Sequence, residues 1–218
     1  MAWYVFALLD APPPRRAGRG LSGPIALREV GACYVAVERR ADVPPIELGA
    51  LKQHHDVVAR LWERVPAVLP VRFGTLLDSA EIAEALEDKD EEVSEALDLV
   101  RERAQFSWRA RDIHRRARST RPAPQRDAMS GTEYLRRAAR ATAPPRRFSA
   151  IREGVGRFSA AERYEPSQSS MPETLYHLVD RERIHAYLAA ASRIPSSLRM
   201  PGVSGPFPAY AFAPELLG

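Results

Sequence analysis

The stretch Val68-Leu69-Pro70-Val71-Arg72-Phe73-Gly74-Thr75 decides how the chain divides. Val68, Leu69, Val71 and Phe73 favour a buried, extended backbone. Pro70 lacks an amide donor and suits an edge, a strand start or a bulge better than a fully paired position. In a strand through Phe73, Arg72 would project to the face opposite Val71 and Phe73. There it either meets solvent or, if the face is covered, needs a partner, and the expectation is a structural pair with a carboxylate. Gly74 ends the run where the chain must turn.

On the N-terminal side of this strand, residues 46–65 place Leu51, Val58, Leu61, Trp62 and Val65 at three- and four-residue spacings, one buried helical face. His54 and His55 lie within it, about 100° apart on the helix. One is expected on the sheet and the other in solvent. The H-E-x-x-H spacing of a paired metal site is absent. On the C-terminal side, Ser79 is expected to cap an acidic helix that buries Ile82, Leu86, Val93, Leu97 and Val100. The cluster Glu87-Asp88-Lys89-Asp90-Glu91-Glu92 interrupts that pattern and places a domain boundary after residue 88.

Upstream, residues 3–9 read as a strand stopped by Pro12-Pro13-Pro14, and residues 25–30 and 32–39 as two more with Gly31 at their turn. Gly18-Arg19-Gly20-Leu21-Ser22-Gly23 spells G-x-G-x-x-G. A phosphate loop follows its strand directly and opens a helix, which this segment does not, so it reads as a flexible loop. Three strands, a helix, a strand and a helix make an α+β sandwich of ferredoxin-like character.

Downstream, residues 105–111 alternate like a half-buried strand, and residues 113–125 read as irregular. Residues 132–143 and 148–158 read as helices separated by Pro144-Pro145. Residues 161–165 and 175–179 are short strands, after which Asp180 is expected to cap a helix with Ile184, Tyr187, Leu188 and Ala191 on one face. The run Gly205-Pro206-Phe207-Pro208-Ala209-Tyr210-Ala211-Phe212 reads as an extended edge strand and a docking strip for a partner.

No apolar run approaches the roughly 18 to 20 residues needed to cross a bilayer. The apolar start lacks a basic n-region, so it reads as a strand and not a signal peptide. A single cysteine, Cys33, excludes an intrachain disulfide framework and suits a reducing compartment. The net charge of +4 conceals two blocks. Between Asp78 and Asp98 ten acidic residues stand against Lys89, and between Arg101 and Arg147 fourteen arginines stand against Glu102, Asp112, Asp127 and Glu133. Such blocks can neutralise each other within the fold or across an interface. The basic block lacks the interleaved aromatics, zinc ligands or helix-turn-helix pattern that would point it at nucleic acid.

Several stretches together resemble one family. Val68 to Thr75, preceded by a helix containing His54 and followed by an acidic helix, looks like the signature of the gas vesicle protein F/L family. Gly205 to Phe212 resembles the family ending G-P-W-P-P-Y-S-F, with Phe207, Ala209 and Ala211 as departures. Ser130-Gly131-Thr132-Glu133-Tyr134-Leu135 resembles its S-G-x-x-Y-L helix start, Leu178-Val179-Asp180-Arg181 its strand-to-helix step, and Trp3-Tyr4-Val5 its first strand. The resemblance implies a two-domain α+β protein. Residues 1–88 would form an N-terminal ferredoxin-like α/β sandwich, and residues 89–218 a C-terminal α+β domain with a helical, coiled-coil-like arm. It further implies a non-enzymatic, cytoplasmic, vesicle-associated role as minor component or assembly accessory. Such a protein would bind the small hydrophobic shell protein GvpA and other accessory proteins and limit shell-protein aggregation.

On this reading Pro70, Arg72, Phe73 and Gly74 are structural, and Phe207, Tyr210 and Phe212 lie near the partner contact. No catalytic residue, cofactor, metal, nucleic acid or membrane is expected. His114, His177 and His185 have no partnering Ser or Cys. The rival reading is a ferredoxin-like module for RNA or a small effector, which would need exposed aromatics where Tyr4, Phe6 and Tyr34 read more simply as core.

Overall fold

The apolar alternation of the first half builds an antiparallel sheet. The computed structural model describes residues 2–110, 144–167, 172–195 and 202–217. Strands β1 (Ala2–Leu9), β2 (Ala26–Val30), β3 (Cys33–Arg40) and β4 (Val68–Pro70) lie in the order β2-β3-β1-β4, and the short β5 (Leu76–Leu77) also pairs with β1. Gly31 takes φ +52° at the β2–β3 turn, a left-handed conformation glycine adopts without steric cost. The connection from β1 to β2 runs through the triple proline as a loop.

Helix α1 (Leu48–Trp62) closes one face of this sheet, packing Val57, Val58 and Leu61 onto Tyr4, Phe6, Ala36 and Val68. Leu51, expected on that face, is 39% exposed, and His54 is buried there instead. With a bulge in β1 between Val5 and Ala7, Val5 and Leu8 share the other side with Val35 and Val37 of β3, and all four are buried. That side is covered by α3 (Asp90–Val100), which follows α2 (Ser79–Leu86), and the buried residues of the two helices are the expected Ile82, Leu86, Val93, Leu97 and Val100. The break between the helices falls at Asp88, at φ +57°. Asp78, not Ser79, caps α2: its carboxylate accepts from the amides of Ala80 and Glu81 while Glu81 reaches back to the Asp78 amide.

The fourth strand stops earlier than its apolar pattern suggests. Pro70 is its last residue, opposite Ala7. The Val71 amide still bonds to Phe6, but the Thr75 amide then returns to the Arg72 carbonyl and Gly74 adopts φ +94°. Arg72 therefore occupies an exposed turn, not a covered sheet face, and its side chain has no carboxylate partner among the described residues. The expected structural ion pair is corrected accordingly.

The second sheet has the order β7-β8-β6-β9, formed by β6 (Arg103–Arg109), β7 (Ser159–Glu165), β8 (Thr174–Asp180) and β9 (Val203–Phe207). Helix α4 (Ser149–Val155), flanked by single 3-10 turns, precedes β7, and α5 (Ile184–Ala191) follows β8. Strand β6, an interior strand of this sheet, is buried on successive residues from Ala104 through Trp108 and not on alternate ones, so side chains on both of its faces are covered. The described elements run β-α-β-β-α-β, the succession of a split β-α-β unit. Asp180 makes no side-chain cap bond, since a 3-10 turn, Arg181–Arg183, intervenes before α5. The helix expected over residues 132–143, with its coiled-coil-like arm, and the irregular stretch at 113–125 lie outside the described residues.

By packing, the chain divides into Met1–Gln105 with Pro206–Gly218, and Phe106–Gly205. The expected division after residue 88 differs because α3 packs on β3 and β4 of the first sheet. The C-terminal segment likewise belongs with the first unit, where its 3-10 turn, Tyr210–Phe212, packs on β4.

Candidate functional site

Two adjacent histidines on α1 connect the signature turn to the C-terminal strip. His54 points inward. Its ring lies 5.6 Å from that of Phe73 and 5.5 Å from Phe6, and its Nδ1 is 2.9 Å from the Tyr4 hydroxyl. Nε2 faces the Val71 carbonyl at 3.2 Å, which requires the proton on that nitrogen, so Tyr4 donates to Nδ1. The same hydroxyl accepts from the Gly74 amide at 3.2 Å. Phe73 thus packs its ring on the Tyr4–His54 pair, Gly74 bonds to it through its amide, and Pro70 ends the strand that precedes them.

Burial pushes the His54 pKa down to about 4, against the Val71 hydrogen bond that favours the charged form. Tyr4 is held above its ordinary value chiefly by burial. This pair is locked neutral and built for packing.

His55 points sideways, and the sequence missed its role. Its ring stacks on Tyr210 at 5.8 Å and meets Phe207 edge-on at 6.1 Å, while Nδ1 lies 3.0 Å from the Tyr210 hydroxyl. Tyr210 is 36% exposed, but enclosure of its hydroxyl, together with the nearby Asp56 charge, raises its pKa. Ala209 and Ala211 are buried, and the Ala211 amide donates to Gln105 at 2.7 Å. These anchors hold the strip down, so Phe207 and Tyr210 sit together at the surface. Phe212, half-buried, makes no ring contact among the described residues.

On and just before α1, several large apolar side chains are exposed. Ile46 and Leu48 are each 84% exposed, Val43 is 47% exposed, and Val43 lies beside Gly74. Leu48, Leu51 and His55 recur at i, i+3 and i+7, so they share one side of α1. The sequence signal was present in Ile46, Leu48 and Leu51, but their spacing also fits a core stripe.

The G-x-G-x-x-G loop is closed from within. The buried Glu38 carboxylate accepts from the amides of Leu21, Ser22 and Gly23 and from the Ser22 hydroxyl, at 2.5 to 2.8 Å. Burial raises the Glu38 pKa, and the bonds from Ser22, Gly23 and Leu21 overcome it, leaving the group below its ordinary value. The expectation of a flexible loop is thereby corrected. Among the described residues no group of three His, Cys, Asp or Glu could hold a metal, and no helix is long and apolar enough to cross a membrane.

Comparison with known proteins agrees with this architecture. Residues 2–214 match the family described as gas vesicle synthesis protein GvpL/GvpF. No curated protein matches the chain. The fold is similar to the crystal structure of GvpF from Microcystis aeruginosa, with TM-score 0.72 at 12% identity, covering 98% of this chain and 99% of that one. It is also similar to GvpF from Anabaena sp. PCC7120, with TM-score 0.69 at 13% identity, covering 98% and 96%. With the match running over nearly all of its length, this chain belongs to the GvpL/GvpF family of gas vesicle synthesis proteins.

Proposed function

We propose that this chain acts in gas vesicle formation without catalysing a reaction, by docking the hydrophobic shell protein GvpA and limiting its aggregation. The observation that carries the reading is the set of large apolar side chains exposed on and just before α1, Val43, Ile46, Leu48 and Leu51, on the helix whose His55 holds Tyr210 and Phe207. Large apolar side chains left in water and rimmed by polar residues fit a protein–protein contact better than chance exposure. Tyr210 and Phe207, held by His55 and by buried alanines, are pre-ordered anchors that lose little entropy on binding. Phe212 supports the turn that presents them.

The alternative of a stacking platform for RNA has less behind it, since Tyr4 and Phe6 are fully buried. Retention of GvpA on the immobilised full-length chain tests the proposal. Replacing Phe207, Tyr210 and Phe212 together by alanine should weaken retention by about 30-fold or more, as loss of an anchor cluster does. A wild-type chain that retains nothing, or a triple variant that binds as well as wild type, would refute it.

A further inference from the structure

A second surface lies at the other end of α1. Arg15, Arg16 and Arg19 rim an open cavity of about 480 Å³ whose apolar wall includes Ile25 and Leu27. Arg60 donates from Nη2 to the Arg19 carbonyl, and Arg64 donates to the Arg16 carbonyl at 3.3 Å. Gly18, at φ +93°, lets the Arg60 guanidinium approach: a Cβ there would stand 3.3 Å from Nε. That Nε is buried with no hydrogen-bond partner among the described residues. None of these five arginines forms an ion pair among the described residues, and Glu63, between Arg60 and Arg64, forms none either. Guanidinium groups gathered around neutral carbonyls repel one another, and an anion placed among them relieves that repulsion.

The complementary shape is present in the same unit, on the opposite face of its sheet. Helix α3 exposes Glu91, Glu92 and Glu95, and Leu99 beside them is 37% exposed. Glu92, Glu95 and Leu99 stand at i, i+3 and i+7, so carboxylates and one leucine share a stripe. A leucine flanked by carboxylates is the counterpart of an apolar cavity flanked by arginines. A small phosphate ligand fits less well, because the loop amides that would cradle it are already taken by Glu38.

We propose that the arginine-rimmed cavity receives the acidic stripe of α3 from a second copy of this chain. The two patches lie on opposite faces of one sheet, so the contact is head-to-tail, and it can add further copies instead of closing at a dimer. Its strength rests on exposed charges and falls with salt.

Sedimentation velocity of the full-length chain tests this. Mass should rise with protein concentration at about 0.05 M salt and return to monomer at about 0.5 M. Chains carrying R15E/R16E/R19E or E91R/E92R/E95R should each stay monomeric with unchanged melting temperature, and mixing the two should restore association. A wild type that is monomeric throughout would overturn the proposal. So would association surviving either set of substitutions, association insensitive to salt, or a mixture of folded variants that fails to combine. Saturable binding of ATP at the cavity by a chain that remains monomeric would also overturn it, assigning the arginines to a small anion.

Discussion

The Tyr4 hydroxyl donates to His54 Nδ1 across 2.9 Å in the core of the first unit, and so fixes a neutral histidine between the sheet and the signature turn. Stability must therefore depend on pH. The unfolded chain protonates this histidine near 6.5 and the folded chain only near 4, so the unfolded state binds more protons between these values. The contribution is complete above about pH 6.5 and is lost as pH falls toward 4, amounting to roughly 3 kcal/mol. Urea unfolding at a series of pH values should show this slope in wild type and a shallower one in His54→Gln.

Removing only the Tyr4 hydroxyl isolates the other partner. Tyr4→Phe keeps the ring against Phe6 and Phe73 but strands His54 Nδ1 and the Gly74 amide. Each buried unpaired group costs about 1–3 kcal/mol. Equilibrium unfolding should show a loss in that range or slightly above it, with faster hydrogen exchange at Gly74.

The Glu38 clasp makes an opposite demand on charge. Glu38→Gln presents an amide where four donors converge, and a loss of roughly 3 kcal/mol is expected from breaking a buried charged network. Because the folded carboxyl titrates below its ordinary value, its contribution is full above the unfolded pKa and is lost as pH falls through the folded one. Exchange of the Leu21, Ser22 and Gly23 amides reports the opening directly. Gly20→Ala should be at least as damaging, since its Cβ would lie 2.1 Å from a Glu38 oxygen.

These relationships show which parts of the fold could be read from residues alone. Local periodicity located most described strands and helices to within a few positions, though not the two-residue β5 or the 3-10 turn Tyr210–Phe212, and it found the buried side of α2 and α3 because those helices are amphipathic. It misjudged Leu51 because a stripe of exposed leucines has the same spacing as a stripe for the core. It carried the fourth strand through Phe73 because apolar alternation continues past the point where Pro70 and Gly74 turn the backbone. Long-range pairings were out of reach. Nothing near Glu38 in sequence announces that its acceptors serve a loop 15 to 17 residues earlier, and nothing near His55 announces Tyr210, 155 residues away.

In the second unit, Ser107 offers a stabilising change. It lies in the interior strand β6, 1% exposed, and its hydroxyl has no hydrogen-bond partner among the described residues. Ser107→Ala removes a buried polar group that gains nothing in the fold, so unfolding free energy should rise by about 1 kcal/mol. A decrease of similar size would mean the hydroxyl has a partner in solution.

The aromatic core of that unit carries the largest expected loss. Trp108 donates its indole N–H to the Tyr187 oxygen at 2.7 Å, and the Tyr187 hydroxyl lies 2.9 Å from His177 Nδ1. With the oxygen already accepting from Trp108, the hydroxyl proton points to His177, whose Nε2 lies 3.3 Å from Glu162. Tyr187 and His177 are fully buried. Tyr187→Phe preserves the ring packing on Phe106 but leaves the indole N–H and the imidazole nitrogen unpaired. At about 1–3 kcal/mol for each, the variant should lose about 2–6 kcal/mol, with a change in Trp108 fluorescence as the indole loses its acceptor. The hydrogen bond from His177 also holds Glu162 below the ordinary carboxyl range, so the same substitution, by freeing the imidazole to rotate, should move the Glu162 titration back up. Carboxyl-detected NMR titration of the two proteins would read that movement, and an unchanged Glu162 would show that His177 keeps its position without Tyr187.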